Sequence, residues 1–420
     1  MRIAIIGGGA SGLCAAYKLQ DAHEVHLFEK RDRLGGNICT VNGNVSPATT
    51  SDVRIESGVL GFHQASYPTV HRFFDELGVA QTTKKPTSAL FMGKVFLPSD
   101  PRQLMSASVL PRLLTQPGQL HHLRQMRSGY RETFKRIVRR DGLADAALKN
   151  VLGGGRALDS FVQSLASLAF STPETAAGDL PASLVGPYLG ATRYPEWTAL
   201  QGGVWSYVEK LLAKSKFKIS TNVQNVQVTR TSMGVSIHVN GEVLSFDEVV
   251  IATTPGQVLN IITDADTEER ALFGAWSDHG FTTRAHTSDA VYGRMRNIPR
   301  TPMDLFVDET GTGFGYNTYM NDFYDIPGNT PYSFSYNLDD RIPDDAILHS
   351  EEHTVPTYTL AARATVDDIW SKNGQNHTWF CGAYLGDGLH EGAIASAHRV
   401  AGSISCGKGG KESEPVVATA

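Results

Sequence analysis

Residues 1–12 read MRIAIIGGGASG, in which an apolar run from Ile3 to Ile6 leads directly into Gly7-x-Gly9-x-x-Gly12. This spacing is typical of the turn that joins the first strand to the first helix of a dinucleotide-binding unit. Gly7 permits a tight turn, Gly9 lets the backbone approach a pyrophosphate, and Gly12 allows the helix to pack closely on the strand. We therefore expect the phosphates at the helix N-terminus, where backbone amides are free to bind them.

The residues after the motif fit the same unit. A helix-compatible stretch runs from Leu13 to Leu19, and a second apolar run, Val25 to Phe28, ends at Glu29. Glu29 stands where a ribose-binding acid is expected, about 20 residues after the glycines. The competing interpretation is a glycine-rich surface loop beside a buried strand, and the order of strand, helix and acid disfavours it.

A glycine pair follows in the segment Arg33-Leu34-Gly35-Gly36-Asn37. A nicotinamide-binding unit does not ordinarily have such a pair at this place, so the pair shifts the predicted cofactor from NAD to FAD. It lets a second loop pass close to the extended dinucleotide and offer amides to the other side of the pyrophosphate. Taken alone, the pair is also compatible with a surface turn.

Composition limits the size, the partners and the compartment. With 420 residues the chain exceeds the size of one hydrophobic core, which predicts two domains. A net charge of −5 gives no general attraction to nucleic acid, which is therefore not an expected partner. The four cysteines show no metal or disulfide spacing, and residue 3 already begins the first strand. We expect no leader peptide, no transmembrane segment and a cytoplasmic location.

Later segments predict how the cofactor site is completed. Gln201-Gly202-Gly203 opens a helix, and residues 249–255, VVIATTP, have the composition of a buried parallel strand. A last strand, residues 378–384, leads into a helix that begins at His390-Glu391-Gly392-Ala393. Its positive end would lie near N1 and O2 of a flavin. The aromatic span 306–336 predicts an antiparallel sheet that lines a pocket.

These segments predict an α/β fold with two domains. A discontinuous Rossmann-type FAD-binding domain would comprise residues 1–62, 195–262 and 350–406. An α+β substrate-binding domain, with a mixed or antiparallel sheet and a helical insertion, would comprise residues 63–194 and 263–349. The small, polar residues 407–420 are predicted to be disordered.

The segment 102–140 is strongly basic, with Glu132 as its one acidic residue. A solvated helical face is the commoner explanation of such a pattern. The alternative is a contact surface for an anionic partner, either an acyl carrier, a membrane surface or a carboxylate substrate.

Taken together, these features resemble the flavin-containing amine oxidoreductase superfamily, which includes phytoene-desaturase-like enzymes, over nearly the whole chain. Within it the chain is similar to a subgroup described as predicted FAD-binding, amine-oxidase-like proteins. The resemblance rests on both glycine motifs, Gln201-Gly202-Gly203, the VVIATTP strand and Glu391-Gly392-Ala393. It implies that FAD contacts residues drawn from the whole chain: Gly7, Gly9, Ala10, Ser11, Gly12, Glu29, Lys30, Arg33, Gly35, Gly36, Asn37, Gly58, Val59, Leu60, Val223, Thr253, Gly382, His390, Glu391, Gly392 and Ala393.

The chain departs from the superfamily at three places. Asn37 replaces an arginine that many members place after the glycine pair, and Ala383 replaces the acid of an Ala-Gly-Glu sequence. Covalently flavinylated relatives carry a cysteine upstream of the last strand, and residues 355–360 contain none. The resemblance therefore implies noncovalent FAD.

Amine oxidases of the superfamily often use a lysine that holds a water near flavin N5, and residues 281–287 contain no lysine. We expect His286 or Arg284 to replace it, together with Tyr384 as a third catalytic candidate. A half-buried structural histidine is the alternative for His286. The pocket candidates are aromatic or lie near the predicted flavin: Ser57, Leu60, Phe62, His63, Tyr316, Tyr319, Tyr336 and Tyr384.

Three functions stay open from sequence. The first is a flavoenzyme that removes hydride from a small, largely apolar or unsaturated substrate, by amine oxidation or C–C desaturation. The second is a redox-neutral isomerase or cyclase that returns the hydride, and the third is a non-catalytic protein that binds NAD(P). No Gly-x-Ser-x-Gly elbow and no metal-ligand spacing occurs, which disfavours a triad hydrolase and a metalloenzyme.

Overall fold

A computed structural model describes residues 1–48, 52–92, 95–106, 109, 146–153, 156–191, 196–295, 297–308 and 314–406. Most of the basic segment 102–140 and all of 407–420 lie outside these ranges. The helices are α1 (Ala10–Leu19), α2 (Pro68–Leu77), α3 (Leu148–Val151), α4 (Arg156–Phe170), α5 (Glu174–Ala177), α6 (Ala182–Ala191), α7 (Trp205–Ala213), α8 (Val258–Ile261), α9 (Thr267–Gly274), α10 (Asn321–Tyr324), α11 (Leu360–Ala364), α12 (Val366–Lys372) and α13 (His390–Ser405).

The strands fall into five sheets. They are β1 (Arg2–Ile6), β2 (Glu24–Phe28), β3 (Thr40–Val41), β4 (Ile55–Glu56), β5 (Phe62–His63), β6 (Gln81–Lys84), β7 (Ser88–Met92), β8 (Val95–Pro98), β9 (Trp197–Leu200), β10 (Lys218–Ser220), β11 (Gln227–Thr231), β12 (Gly234–Val239), β13 (Glu242–Phe246), β14 (Glu248–Ile251), β15 (Asp278–His286), β16 (Met303–Val307), β17 (Phe314–Tyr319), β18 (Ser333–Tyr336), β19 (Ile347–Pro356) and β20 (Thr378–Phe380).

The first sheet has the order β10-β2-β1-β14-β20, and all its described pairs are parallel. Its central strand is buried on both faces, as its uninterrupted apolar sequence requires. Ile3 and Ile5 pack towards α1 and α13, whereas Ala4 and Ile6 pack towards the antiparallel sheet β11-β12-β13. The carboxyl ends of β1, β14 and β20 consequently share one edge, where an α/β sheet binds its ligand.

The second large sheet has the order β19-β15-β18-β17-β16-β7-β8 and is antiparallel except for the pair of β16 with β7. Successive residues of a strand point to opposite faces, so this sheet has two distinct sides. We call the side that carries Thr283, Tyr336 and Tyr316 the front face; α4 packs against it. The back face carries Phe306 and Phe91 in a separate apolar cluster.

This architecture confirms the predicted fold class, a discontinuous parallel nucleotide-binding sheet combined with a mixed sheet. The parallel sheet is assembled from residues 2–28, 218–251 and 378–380, which are far apart in sequence. The domain boundaries themselves stay a prediction. Within the described ranges, no helix combines the length and the apolar character needed to cross a membrane.

Candidate flavin site

The first glycine turn has two glycines that are packed and one that is open. A Cβ on Gly12 would lie 1.9 Å from the Gly7 carbonyl oxygen, and one on Gly7, whose φ is +109°, would lie 2.8 Å from the Ala252 oxygen. A Cβ on Gly9 would meet only the Gly36 Cα, 3.9 Å away. Gly7 and Gly12 therefore hold β1, α1 and β14 together, while Gly9 leaves backbone open to a ligand.

The glycine pair brings a second loop alongside the first turn. The Gly35 amide donates to the Gly8 carbonyl over 2.8 Å, and both Gly35 and Gly36 have positive φ. Asn37, which replaces the usual arginine, donates through Nδ2 to the Thr354 carbonyl at the end of β19. The two loops thus lie side by side, as a dinucleotide that passes between them requires.

Glu29 braces the first turn as well as standing at the ribose position. Its Oε2 accepts the Gly8 amide over 2.6 Å and its Oε1 accepts the Arg31 amide over 2.7 Å. Each carboxylate oxygen keeps a lone pair for a hydroxyl donor. The Val223 amide donates to the Glu29 carbonyl, which puts this predicted FAD contact beside the acid, and Lys30 is exposed next to both.

The positive charge of Arg33 is paired with a carboxylate of the protein. Its guanidinium pairs with the Glu351 carboxylate of β19, which also accepts from Arg31 over 3.0 Å. Burial raises the pKa of Glu351, but the hydrogen bond from His349 and the Arg33 charge outweigh burial and hold that pKa at about 2. Arg33 therefore fixes the glycine-pair loop to β19, a role that the sequence does not reveal.

The loop of residues 57–60 forms the next wall of the site. A Cβ on Gly58 would lie 2.2 Å from the Asn37 carbonyl oxygen, so the two loops are in backbone contact. The Ser57 carbonyl accepts from Thr283 Oγ1 over 2.6 Å and from His353 Nε2 over 2.7 Å. The partly exposed Val59 and Leu60 follow. The front face of the second sheet is thereby joined directly to the cofactor loops.

The chain that leaves β20 closes the site. The Gly382 amide donates to Ser396 Oγ over 2.9 Å, and Arg363 donates to the carbonyls of Tyr384 and Gly386. The Tyr384 ring packs on Gly382, where a Cβ would lie 2.7 Å from its Cε1, and its buried hydroxyl has no hydrogen-bond partner among the described residues. A buried hydroxyl without a partner is costly, which suits a place that a bound group completes.

The side chains of His390 and Glu391 have partners in the protein. Both Glu391 oxygens accept the Thr69 amide and one also accepts the Val70 amide, so Glu391 caps α2. His390 Nε2 lies 2.9 Å from the Tyr207 hydroxyl. What these residues offer to the shared sheet edge is therefore their backbone at the start of α13.

The glycine pair of Gln201-Gly202-Gly203, which opens α7, lies against a buried carboxylate. A Cβ on Gly203 would lie 2.5 Å from Glu56 Oε1, and the Val204 amide donates to the same oxygen over 2.8 Å. This pair therefore serves to place the start of α7 on a buried carboxylate. Burial raises the pKa of Glu56 to about 8 despite its hydrogen bonds.

Several residues of these loops and turns are partly exposed. Asp387 and His390 are among them, although burial raises the pKa of Asp387 to about 6 and lowers that of His390 to about 4. The open backbone at Gly9 and the unpartnered Tyr384 hydroxyl fit an extended dinucleotide. The partly exposed residues are Gly7, Gly9, Ala10, Gly36, Asn37, Gly58, Val59, Leu60, Thr253, Ala383, Asp387 and His390; Ser11, Gly35, Gly382, Gly392 and Ala393 are buried.

The two polar catalytic candidates on β15 lie on the back face. Thr283 is in register with Tyr336 on the front face, so the next residue, Arg284, points to the other side, where its Nε lies 2.9 Å from Asp339. His286 is fully buried, with Nε2 2.8 Å from Ser335 Oγ and 3.2 Å from Asn317 Oδ1. Burial lowers the pKa of His286 to about 4. Neither residue shares a face of the sheet with Tyr316 and Tyr336.

The pocket candidates divide in the same way. Tyr316 and Tyr336 lie on the front face with ring centroids 5.4 Å apart, and Tyr384 packs on Trp276. Phe62 is core, His63 bonds Ser66, and Tyr319 carries the Arg300 guanidinium over its ring. Sequence reasoning missed Thr283, His353 and Asp387. The alternation of His349, Glu351 and His353 along β19 is the one signal that pointed to a polar strand face there.

The fold is that of the flavin-dependent oxidoreductase class. Residues 10–354 match the family described as flavin containing amine oxidoreductase, and the chain belongs to that family. It is an oxidoreductase by that membership.

Single relatives match less completely. A segment of 116 residues is 32% identical to protoporphyrinogen oxidase 2, chloroplastic/mitochondrial, of Arabidopsis thaliana, but the match spans only 26% of this chain and 21% of that protein. Putrescine oxidase with bound putrescine has a similar structure, with a TM-score of 0.67 at 13% identity over 97% of this chain and 99% of the other. A fatty acid isomerase from P. acnes described as CLA-producing has a TM-score of 0.64 at 17% identity over 94% and 97%. At these identities the structures establish the shared fold.

Proposed function

We propose that this protein binds FAD noncovalently and abstracts a hydride from a small, largely apolar substrate. The observation that carries the FAD assignment is the pair of loops, at Gly9 and at Gly36, that approach each other with open backbone beside Glu29. The sheet edge at the carboxyl ends of β1, β14 and β20 leads from there to the start of α13, where the second half of the cofactor would lie. Bound FAD would supply the hydride acceptor.

Noncovalent binding is supported by the positions of the thiols. Cys14, Cys39 and Cys381 are buried side chains, burial raises the pKa of each, and Cys406 lies at the far end of α13. A buried, protonated thiol is a poor nucleophile. The four free thiols also support a reducing compartment, as in our expectation of a cytoplasmic location.

The front face supports an uncharged substrate. The row that runs across the sheet from Thr283 towards β7 consists of Tyr336, Tyr316, Leu305 and Leu90, none of which carries a charge. In the other direction Thr283 is in register with Glu351, whose carboxylate is already paired with Arg31 and Arg33. The uncharged part of the row suits apolar or unsaturated carbon chains, and the paired Glu351 is not a free counter-ion for an ammonium group. It therefore favours C–C desaturation over oxidation of a charged amine.

We assign to Thr283 and His353 the role that the sequence predicts for His286. His353 Nε2 contacts both Thr283 Oγ1 and the Ser57 carbonyl, and its buried Nδ1 has no partner among the described residues. Burial lowers the pKa of His353 to about 4, so the ring is neutral at pH 7. We infer that this pair orients the loop of residues 57–60 and offers one nitrogen lone pair to water or substrate.

Redox-neutral isomerisation of an unsaturated substrate is a second candidate. It is favoured by the uncharged row of Tyr336, Tyr316, Leu305 and Leu90 on the front face, and the fatty acid isomerase from P. acnes shows that the shared fold is found in an isomerase. The two functions differ in the final state of the flavin. Oxidation leaves it reduced, whereas isomerisation returns the hydride.

The test begins with the purified protein and its bound cofactor. We expect a yellow protein that releases FAD on denaturation, identified by mass spectrometry; a colourless protein that stays colourless on FAD titration, or that releases NAD(P), would refute the proposal. Unsaturated fatty acids and primary amines are then mixed anaerobically with the holoprotein. Bleaching by an unsaturated chain supports desaturation, conversion without bleaching supports isomerisation, and bleaching by amines alone refutes the substrate class.

A further inference from the structure

Asp387 lies in the turn between β20 and α13, with Gly386 and Gly388 on either side. Its Oδ1 accepts the Leu389 amide over 2.9 Å and the Gly392 amide over 2.7 Å. These are amides of the N-cap residue and of the first turn of α13. Its Oδ2 has no hydrogen-bond partner in another described residue, and Asp387 is partly exposed.

The first turn of α13 belongs to the same sheet edge as the glycine turn. The chain leaves β20 at Cys381, β20 pairs with β14, and β14 pairs with β1, which runs into Gly7. Gly382 lies against Thr253 at the end of β14. With the adenosine half of FAD beside Glu29, α13 begins at the opposite end of this sheet edge, where the flavin ring would lie.

A free helix N-terminus carries a partial charge of about +0.5 and stabilises a nearby negative charge. A flavin that has accepted a hydride carries such a charge. The Asp387 carboxylate already binds two of the amides that create the positive end of α13, so its charge opposes theirs.

We propose that Asp387 offsets the positive end of α13 and thereby lowers the reduction potential of the bound flavin, an inference that rests on the proposed FAD site. The Asp387 charge makes the bound flavin a weaker oxidant at neutral pH. In acid, where Asp387 takes up a proton, the flavin becomes a stronger oxidant.

The charged and titratable groups that face Asp387 are consistent with a pKa of about 6 for its carboxyl group. They are Glu391 on α13, Tyr67 at the start of α2, Tyr358 after β19 and Arg363 on α11. Burial is the main cause that raises the pKa of Asp387 to about 6, and the Glu391 charge adds to it, while the amide hydrogen bonds oppose both. Arg363, the one cation of the group, donates to carbonyls of the same turn.

The experiment compares native holoprotein with Asp387→Asn, which keeps a hydrogen-bond acceptor for the amides and removes the charge. Sulfite is the probe: its sulfur lone pair adds to flavin N5 and leaves a negative charge on the ring, so its affinity reports the local charge without turnover. At pH 8 we expect Asp387→Asn to bind sulfite about tenfold more tightly and its two-electron potential to rise by about 30 mV. Asp266→Asn, which removes a capping charge from α9, is the matched control and should match the native protein.

The native protein provides a second measurement that needs no variant. Between pH 8 and pH 5 its sulfite affinity should rise with a step near pH 6, and Asp387→Asn should lack that step. Native holoprotein without the step, or Asp387→Asn that binds FAD with unchanged potential and sulfite affinity, would overturn the inference and leave the FAD proposal intact. Failure of native protein to bind FAD would overturn both.

Discussion

Replacement of Gly9 by alanine separates the folding role of the glycine turn from its binding role. Gly9 has φ −76° and ψ −175°, a conformation open to any residue, and its Cβ would meet nothing closer than 3.9 Å. We therefore expect the apoprotein to unfold with a free energy within about 0.5 kcal/mol of native. In the holoprotein the same methyl group would stand between the backbone and the pyrophosphate.

The loss of affinity follows from the contact that the methyl group prevents. A backbone amide bound to a charged oxygen contributes about 1.5–3 kcal/mol, so FAD should bind roughly 10- to 150-fold more weakly. FAD binding is measured by titrating the apoprotein with FAD while the quenching of flavin fluorescence is monitored. Stability is measured by thermal unfolding of the apoprotein.

Two further glycine variants serve as controls for Gly9→Ala. Gly274→Ala, with no atom within 4 Å, should match the native protein in both measurements. Gly12→Ala should lose stability as well as FAD, because its Cβ lies 1.9 Å from the Gly7 oxygen, about 1.5 Å closer than ordinary contact. Native FAD affinity in Gly9→Ala would refute the placement of the pyrophosphate, and an unstable Gly9→Ala apoprotein would refute the description of Gly9 as open.

Three other predictions test the surrounding framework. Glu351→Gln should lower the free energy of unfolding by about 2 kcal/mol at pH 7. Because pairing holds the folded pKa of Glu351 at about 2, this difference from the native protein, measured by urea unfolding, should disappear as pH falls from about 4.5 to 2. Arg230→Met should lower the free energy of unfolding by about 3–5 kcal/mol, since it leaves the buried Glu269 carboxylate without its guanidinium partner. The double variant that also carries Glu269→Leu should recover most of the lost stability in thermal melts. His286→Asn should leave the flavin absorbance spectrum unchanged, whereas Thr283→Val should shift it; the reverse result would place the flavin on the back face.

The features that could be predicted from sequence are those encoded by local backbone requirements. Gly7 and Gly12 report a close approach of strand and helix, and the apolar runs at 3–6 and 249–252 report strands buried on both faces. These signals depend on neighbours in sequence, so they indicated the class of fold and the nucleotide end of the site without knowledge of tertiary contacts.

The flavin end depends on strand register, which the sequence leaves open. A shift of one residue turns every side chain of a strand to the other face, and the register of β15 with β19 changes between Ala285 and His286. The polar residues Arg284 and His286 suggested a catalytic role, yet Thr283 is the residue joined to Ser57. His353 acquires its significance from Thr283 and Ser57 on other segments, and the alternation along β19 marks a polar face without showing these partners. Asp387 has local partners in Leu389 and Gly392, but its place at the sheet edge depends on the pairing of β20 with β14.

The position of β20 as the outer strand of the parallel sheet also affects how the protein is made. Because β14 and β20 lie far behind β1 and β2 in the sequence, they leave the ribosome after them. Until β20 and α13 emerge, one edge of β14 stays unpaired and open to association with other chains. A nascent chain that stops between β14 and β20 would therefore carry an intact glycine motif without the strand and helix that complete the sheet edge beside it.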